Sequence, residues 1–249
     1  MNWGRYVEEF HGERAGITER VLRHSTDRGG DPYDWLLAAV PETGRVLDLA
    51  CGSAPLWPTL GDRHYVGVDV SAAELTEARR AGAGPLVRAT AFALPLAPGS
   101  VDAVVCSMGL MVLTPLTGVL AEIGRVLAPG GVLVATVPDR RPLRRADLAV
   151  VGGLLAALGS GLGYPGDRDL RRLPALLAQA GLRLDGDESR RYRYRLGSRD
   201  DADRLASSLY LPGLPPSRRR RARGYLRALS LAHATVPMPI RRMIAHRPT

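Results

Sequence analysis

Arg45-Val46-Leu47-Asp48-Leu49-Ala50-Cys51-Gly52-Ser53-Ala54 is the stretch on which the reading of this chain turns. Residues 46–49 have the apolar run of a short buried strand that ends beside an acid. A turn of small residues follows at once. About twenty residues further on, Tyr65-Val66-Gly67-Val68-Asp69 is a second strand ending in an acid. Strand, small-residue turn, helix, then strand with a terminal carboxylate is the opening of a nucleotide-binding βαβ unit. Gly52 permits close backbone approach, and Asp69 is placed to accept hydrogen bonds from a ribose diol. The pattern suits NAD or S-adenosylmethionine, and NAD fits it poorly. In G-x-G-x-x-G register Ala50 replaces the first glycine and Pro55 the last. Asp48, just before the turn, would repel a pyrophosphate.

Later segments extend the pattern. Residues 85–88 read as a third strand, with Thr90, Ala91 and Phe92 at its carboxyl end, where an adenine would lie against the Phe92 ring. Val101–Ser107 is apolar apart from Asp102, as expected of a central parallel strand buried on both faces. Ser71 and Glu74 have capping-box spacing and predict a helix to about residue 81. Thr114-Pro115 is the expected cap of the next helix, which Pro129-Gly130-Gly131 ends before a strand at 132–137.

With those residues in place, the chain resembles the class I S-adenosylmethionine-dependent methyltransferases. VLDLACGSA is similar to their first motif and YVGVDVS to the second-strand motif. ALPLAPGSVDAVVCSMGLMVL and RVLAPGGVLVATVPD follow in matching order over about residues 43–139. The resemblance implies an α/β fold with a doubly wound, mostly parallel seven-stranded sheet of order 3-2-1-4-5-7-6, strand seven antiparallel, with helical lid insertions. It implies S-adenosylmethionine as cofactor and S-adenosylhomocysteine as product. Asp48, Ala50, Cys51, Gly52, Ser53, Asp69, Val70, Thr90, Ala91, Phe92, Ser107 and Met108 are the implied cofactor-binding residues. Two positions depart from the family pattern. Ala54 stands where a glycine is usual, and Thr90 where many members carry an Asp that bonds the adenine amino group. The adenine end is therefore expected to be bound more weakly or differently.

The remaining segments read as lid and cap around one methyltransferase domain of 249 residues. Residues 1–42 contain helices expected at 13–23 and, behind the Asp31-Pro32 cap, at 33–40. In the resembled family such helices close over the cofactor, which makes Trp3, Tyr6, Phe10 and His11 lid candidates. After the core at 43–139, segments 140–168 and 198–234 are expected to cap the acceptor. The first holds the glycine-studded apolar helix 149–158. The second holds helices at 200–210 and Pro216–Leu231. A helix at 170–180 and a strand at 182–196 lie between them. The last strand is expected at 236–246, with pairing delayed by Pro237 and Pro239. Leu110, Met111, Leu154 and Leu155 are the acceptor-facing candidates. If a general base is needed, His11 in the lid is the first candidate and His233 the second.

Composition narrows the function classes. All 34 basic side chains are Arg, against 25 acids. Residues 1–139 carry 11 Arg and 16 acids, net −5, while residues 140–249 carry 23 Arg and 9 acids, net +14. A basic half is compatible with RNA, an anionic surface or an anionic small molecule. There is no 18-residue apolar span and no leader-like start, so a cytoplasmic location is expected. The five histidines lack metal-ligand spacing, and Cys51 and Cys106 do not form a disulfide framework. Three classes remain: a small-molecule methyltransferase, possible in secondary metabolism; an RNA methyltransferase with the Arg-rich half as its phosphate face; and a cofactor-binding protein that does not methylate. The first is preferred, because an apolar, glycine-rich helix and two inserted helices suit an enclosed pocket. No RNA-binding module is recognisable.

Overall fold

The computed structural model describes residues 2–28 and 30–249; Met1 and Gly29 of the expected lid lie outside the described residues. In chain order the elements are α1 (Trp3–Glu13), α2 (Ile17–Arg23), β1 (Ser25–Thr26), α3 (Pro32–Leu37), β2 (Arg45–Leu49), α4 (Trp57–Leu60), β3 (His64–Asp69), α5 (Ala72–Arg80), β4 (Leu86–Arg88), β5 (Val101–Ser107), α6 (Leu116–Val126), β6 (Leu127–Pro138), α7 (Arg145–Leu158), α8 (Asp167–Leu170), α9 (Leu173–Gln179), β7 (Arg183–Arg195), α10 (Arg199–Ser208), α11 (Pro216–Leu231) and β8 (Thr235–His246).

One sheet of order β1-β7-β8-β6-β5-β2-β3-β4 organises them. Strands β2 to β6 pair in parallel, and β8 runs antiparallel to both neighbours. Among the described residues the sheet has eight strands, not the expected seven. The addition is β1, a two-residue strand pairing with Tyr194 and Arg193 at the outer edge of β7. With β1 set aside, the other strands run in the expected succession. Central burial explains the parallel part: Val46, Leu47, Val104, Val105 and Val134 are all at most 1% exposed. Runs buried on both faces need helices on each side, and the crossovers provide them.

Several local expectations are corrected. The helix expected at 13–23 breaks at Gly16, whose φ of 71° is left-handed, and restarts at Ile17. Asp31 does cap α3, reciprocally with Asp34, but that helix stops at Leu37. Thr114 does not cap α6; the Leu116 N–H instead donates to Asp169 Oδ2 at 3.0 Å. The helix expected at 170–180 is confined to α9, and Leu170 is instead the last residue of the separate short helix α8. Pro237 and Pro239 do not delay β8, which pairs with β7 from Thr235 onward. Both prolines precede Ile240, the residue paired with Pro138 of β6, and on that side the Pro239 carbonyl accepts from the Asp139 N–H at 2.9 Å, a bond that needs no proline N–H.

Because β7 and β8 overrun β6, their outer ends carry a second apolar cluster. Tyr194, Leu196 and Val236 pack there with Leu154 and Leu158 of α7, Leu205 of α10 and Leu226 of α11. An ion pair ties α7 to the sheet: Arg191 Nε donates to Asp147 Oδ2 at 2.6 Å, with both side chains largely buried. The guanidinium holds the Asp147 carboxyl below its usual range.

Candidate active site

The turn after β2 is made of left-handed residues: Ala50, Gly52 and Ala54 have φ of 55°, 55° and 56°. A Cβ on Gly52 would meet only ordinary contacts, so glycine is wanted there for its φ rather than for space. The turn is pinned by the next strand. The Gly52 N–H donates to Asp69 Oδ2 at 2.8 Å, and the Ser71 N–H donates to Asp69 Oδ1 at 2.8 Å. Each carboxylate oxygen keeps a second lone pair for a ligand hydroxyl. Burial pushes the Asp69 carboxyl up, opposed by those two N–H donors.

Asp48 lies beneath the turn, 1% exposed, accepting from the Tyr65 hydroxyl at 2.9 Å. Burial raises its carboxyl to about 7. Burial also pushes the Cys51 and Cys106 thiols up, Cys106 to about 12, which keeps both protonated.

Above the turn is a cavity of about 120 Å³ at the carboxyl ends of β2, β3 and β5. It brings together Asp48, Ala50, Cys51, Gly52, Ser53, Asp69, Val70, Ser107, Met108 and His11 from the expected set. Its charge is one-sided: Glu8, Glu19, Asp48, Asp69 and Glu74 line it, and no Arg does among the described residues. In a chain with 34 basic side chains this is a local choice. It fits a ligand carrying a sulfonium and an ammonium, and it opposes a pyrophosphate.

Thr90, Ala91 and Phe92 are outside this cavity. Thr90 Oγ1 accepts from the Phe92 N–H at 3.3 Å, Ala91 is buried, and Phe92 is 41% exposed. His233 is also displaced: it is an exposed residue with φ 48° in the turn between α11 and β8, away from the cleft. Leu110 is buried in the main core instead of facing an acceptor.

A second cavity, of about 420 Å³, lies between the outer cluster and the sheet. Met111, Leu154 and Leu155 line it, with Val21, Leu22, Leu205 and Ile240. Asp139, Arg140 and Asp167 supply its charged groups. Thr18, Met108 and Tyr210 line both cavities, so the two meet there. Trp3, Tyr6 and Phe10 line neither. They are the rivets of α1: Tyr6 Oη accepts from the Leu211 N–H at 2.9 Å, and Phe10 packs edge-on to Tyr210 at 4.6 Å.

Glu74, Thr18, Tyr164 and Tyr210 escape the sequence reading. Glu74 has the spacing of a capping box, yet the box is only half made. Ser71 Oγ accepts from the Glu74 N–H at 3.3 Å, but Glu74 Oε2 accepts from the Gly16 N–H at 2.9 Å and Oε1 lies 2.6 Å from His11 Nδ1. Its carboxylate has been drawn from its own helix to the lid. A buried acid in a helix first turn is the signal that marks it, and burial is not visible in one sequence.

A doubly wound sheet with a carboxylate-lined cleft at its strand ends defines the class. Residues 47–135 match the family described as "Methyltransferase domain". Residues 47–135 carry a methyltransferase domain of the class I, S-adenosylmethionine-dependent type with a Rossmann-like fold. Among named relatives, it is 36% identical over 148 residues to the demethylmenaquinone methyltransferase of Deinococcus radiodurans, which covers 53% of this chain and 59% of that one. The chain thus spans little more than half the length of that relative. Two solved structures share the fold. The [4+2]-cyclase SpnF matches with TM-score 0.63 at 19% identity, over 98% of this chain and 96% of that one. The geranyl diphosphate C-methyltransferase of Streptomyces coelicolor A3(2), solved with S-adenosyl-L-homocysteine, matches with TM-score 0.51 at 16% identity, over 86% and 74%.

Proposed function

We propose that this chain transfers the methyl group of S-adenosylmethionine to an apolar small molecule of the quinone type. The observation that carries the reading is the apolar cavity of about 420 Å³ that joins the carboxylate-lined cleft at Thr18, Met108 and Tyr210. The name of the Deinococcus relative points to the same acceptor class. Residues 1–42, 140–168 and 198–234 are the lid and cap in this reading.

When bound, S-adenosylmethionine supplies an electrophilic methyl on a sulfonium. The chain's own residues do the rest. Asp69 and the turn at Gly52 hold the cofactor's ribose side, and the acidic lining favours its positive charge. Met108, at φ 57°, stands at the junction of the cavities. The leucines of α7 and α10 exclude water and hold the acceptor in line, which is where most of the acceleration of a simple displacement arises. Val70, half exposed, lines the cleft and would meet the cofactor there, whereas Thr90, Ala91 and Phe92 lie outside it.

The RNA alternative gains nothing from the arrangement of the Arg run. Arg218 Nη1 donates to the Gly159 carbonyl at 3.2 Å and Arg219 Nε to the Leu214 carbonyl at 3.1 Å, so half the run is tied to the outer cluster. Among the described residues no helix is long and apolar enough to cross a membrane.

The test supplies methyl-labelled S-adenosylmethionine and the full chain to an apolar lipid extract and, separately, to total RNA. Label in a quinone fraction is the expected result. Label in RNA alone would overturn the reading.

A further inference from the structure

Three polar side chains from distant parts of the chain meet where the two cavities join. Glu74 comes from the first turn of α5, His11 from the last turn of α1, and Tyr210 from the segment that follows α10. His11 Nδ1 is 2.6 Å from Glu74 Oε1, and His11 Nε2 is 2.6 Å from the Tyr210 hydroxyl. Glu74 is 3% exposed, and its other oxygen is occupied by the Gly16 N–H. A carboxylate accepts at both oxygens, so Nδ1 is the donor to it. In the neutral ring Nε2 is then an acceptor, and the Tyr210 hydroxyl donates to it. The two separations of 2.6 Å are at the short end for hydrogen bonds that involve charge.

The order of these groups matters. The carboxylate is deepest, the imidazole is between, and the phenol alone reaches both cavities. That is the logic of a hydroxyl activated by a base that a buried acid orients. Thr18, Met108 and Tyr210 are the shared lining, and of these it is Tyr210 whose hydroxyl meets His11. Other groups facing the relay are Thr18 on α2, Tyr6 on α1, Tyr164 in the loop before α8, and Asp69 at the end of β3.

We propose that Glu74, His11 and Tyr210 form a proton relay that removes a hydroxyl proton from the acceptor, with Tyr210 as the group that meets it. The inference rests on the methyltransferase reading above. As the acceptor forms its bond to the methyl carbon, the S–CH₃ bond breaks and its electron pair stays on sulfur. The acceptor's hydroxyl proton passes to the Tyr210 oxygen. Tyr210's own proton passes to His11 Nε2, and the resulting imidazolium is held by Glu74. For attack through a ring carbon, the ring proton moves to the oxygen afterwards, so one proton in all enters the relay. The acceptor this implies is an apolar aromatic with a hydroxyl un-ionised at neutral pH.

Two measurements on the full chain test this. The first needs no turnover: ¹⁵N-histidine NMR of the complex with S-adenosylhomocysteine. It should place His11 in the Nδ1–H tautomer and show its Nε2 signal moving in Tyr210→Phe. An Nε2–H tautomer, or no change in Tyr210→Phe, would overturn the relay. The second compares two 1-naphthols, one ionised at the assay pH and one not, as acceptors. Tyr210→Phe and His11→Gln should each lose about 100-fold or more in kcat on the neutral naphthol and at most about threefold on the ionised one. The double variant should be no worse than either single, because the groups act as a unit. Equal losses on both naphthols would reduce the residues to packing and refute the proposal, as would no loss on either. If the wild type methylates neither naphthol, the acceptor reading fails while the NMR result still decides the relay.

Discussion

Asp48 is the residue whose chemistry departs furthest from its sequence appearance. A carboxyl raised to about 7 by burial stays protonated in the folded protein over a range where the unfolded chain has ionised. Between the usual value of 3.8 and about 7 the folded state binds more protons, so this group's contribution to stability falls as pH rises and then levels off. Asp48→Asn keeps an acceptor for Tyr65 and removes the titration. We expect its melting temperature to exceed the wild type's above pH 7 and the two curves to converge near pH 4, as scanning calorimetry without cofactor would record; parallel curves would refute this. Asp69 behaves differently because two backbone N–H groups hang on it. Asp69→Ala should lose cofactor affinity by about 1.5–3 kcal/mol and destabilise the turn as well. Asp69→Asn should spare more of the fold than of the affinity. Calorimetry with S-adenosylhomocysteine and thermal melts separate the two effects. That Asp69 would matter is legible from its place at the end of an apolar strand. Its two backbone partners depend on the left-handed turn and are not.

At the scale of elements, α7 and α11 depend on one close contact. Gly153 faces the Tyr225 side chain so closely that a Cβ there would collide with the phenol. The Tyr225 hydroxyl donates to the Val150 carbonyl at 3.1 Å. Gly153→Ala should therefore push the helices apart and cost about 1–3 kcal/mol, read as a lower denaturant midpoint with the strand core unaffected. The Arg run on α11 divides likewise. Arg220→Ala with Arg221→Ala should leave activity and melting unchanged, since both side chains face solvent. Arg219→Ala should lower the melting temperature, because carbonyls at Leu211 and Leu214 lose a donor. Equal behaviour of the two variants would contradict this division. The two inserted helices were readable, the one expected at 200–210 forming as Arg199–Ser208 and the other at Pro216–Leu231 as expected, and the central strand Val101–Ser107 from its apolar run. Gly16 looked like an interior glycine of a helix, yet the chain needed a left-handed break there. Such breaks depend on where the next element must go, which periodicity does not encode.

The whole molecule is a Rossmann-like sheet with an outer cluster set on the overhanging ends of β7 and β8. The five parallel strands were legible from motifs spaced along residues 43–139, and the places of β7 and β8 only from what the resemblance implies. The edge strand β1 was not, since two residues carry no periodicity. Among site residues, the turn and Asp69 were placed by motif. Thr90 to Phe92 were placed by their position at the carboxyl end of the third strand and stand aside from the cavity. Glu74 and Tyr210 come from points 136 residues apart in the numbering, and only the packing of α1 against α5 brings them to one imidazole. The central claim is that the acceptor occupies the cavity between this cluster and the sheet, and Leu155→Arg addresses it most directly by placing a charge in that wall. The measurement pairs calorimetric affinity for S-adenosylhomocysteine with turnover of labelled S-adenosylmethionine on the acceptor. The account predicts affinity within about threefold of the wild type and turnover reduced by about 100-fold or more, since only acceptor positioning is lost. Undiminished turnover in Leu155→Arg, with loss of activity in the Arg220→Ala and Arg221→Ala variant, would contradict it.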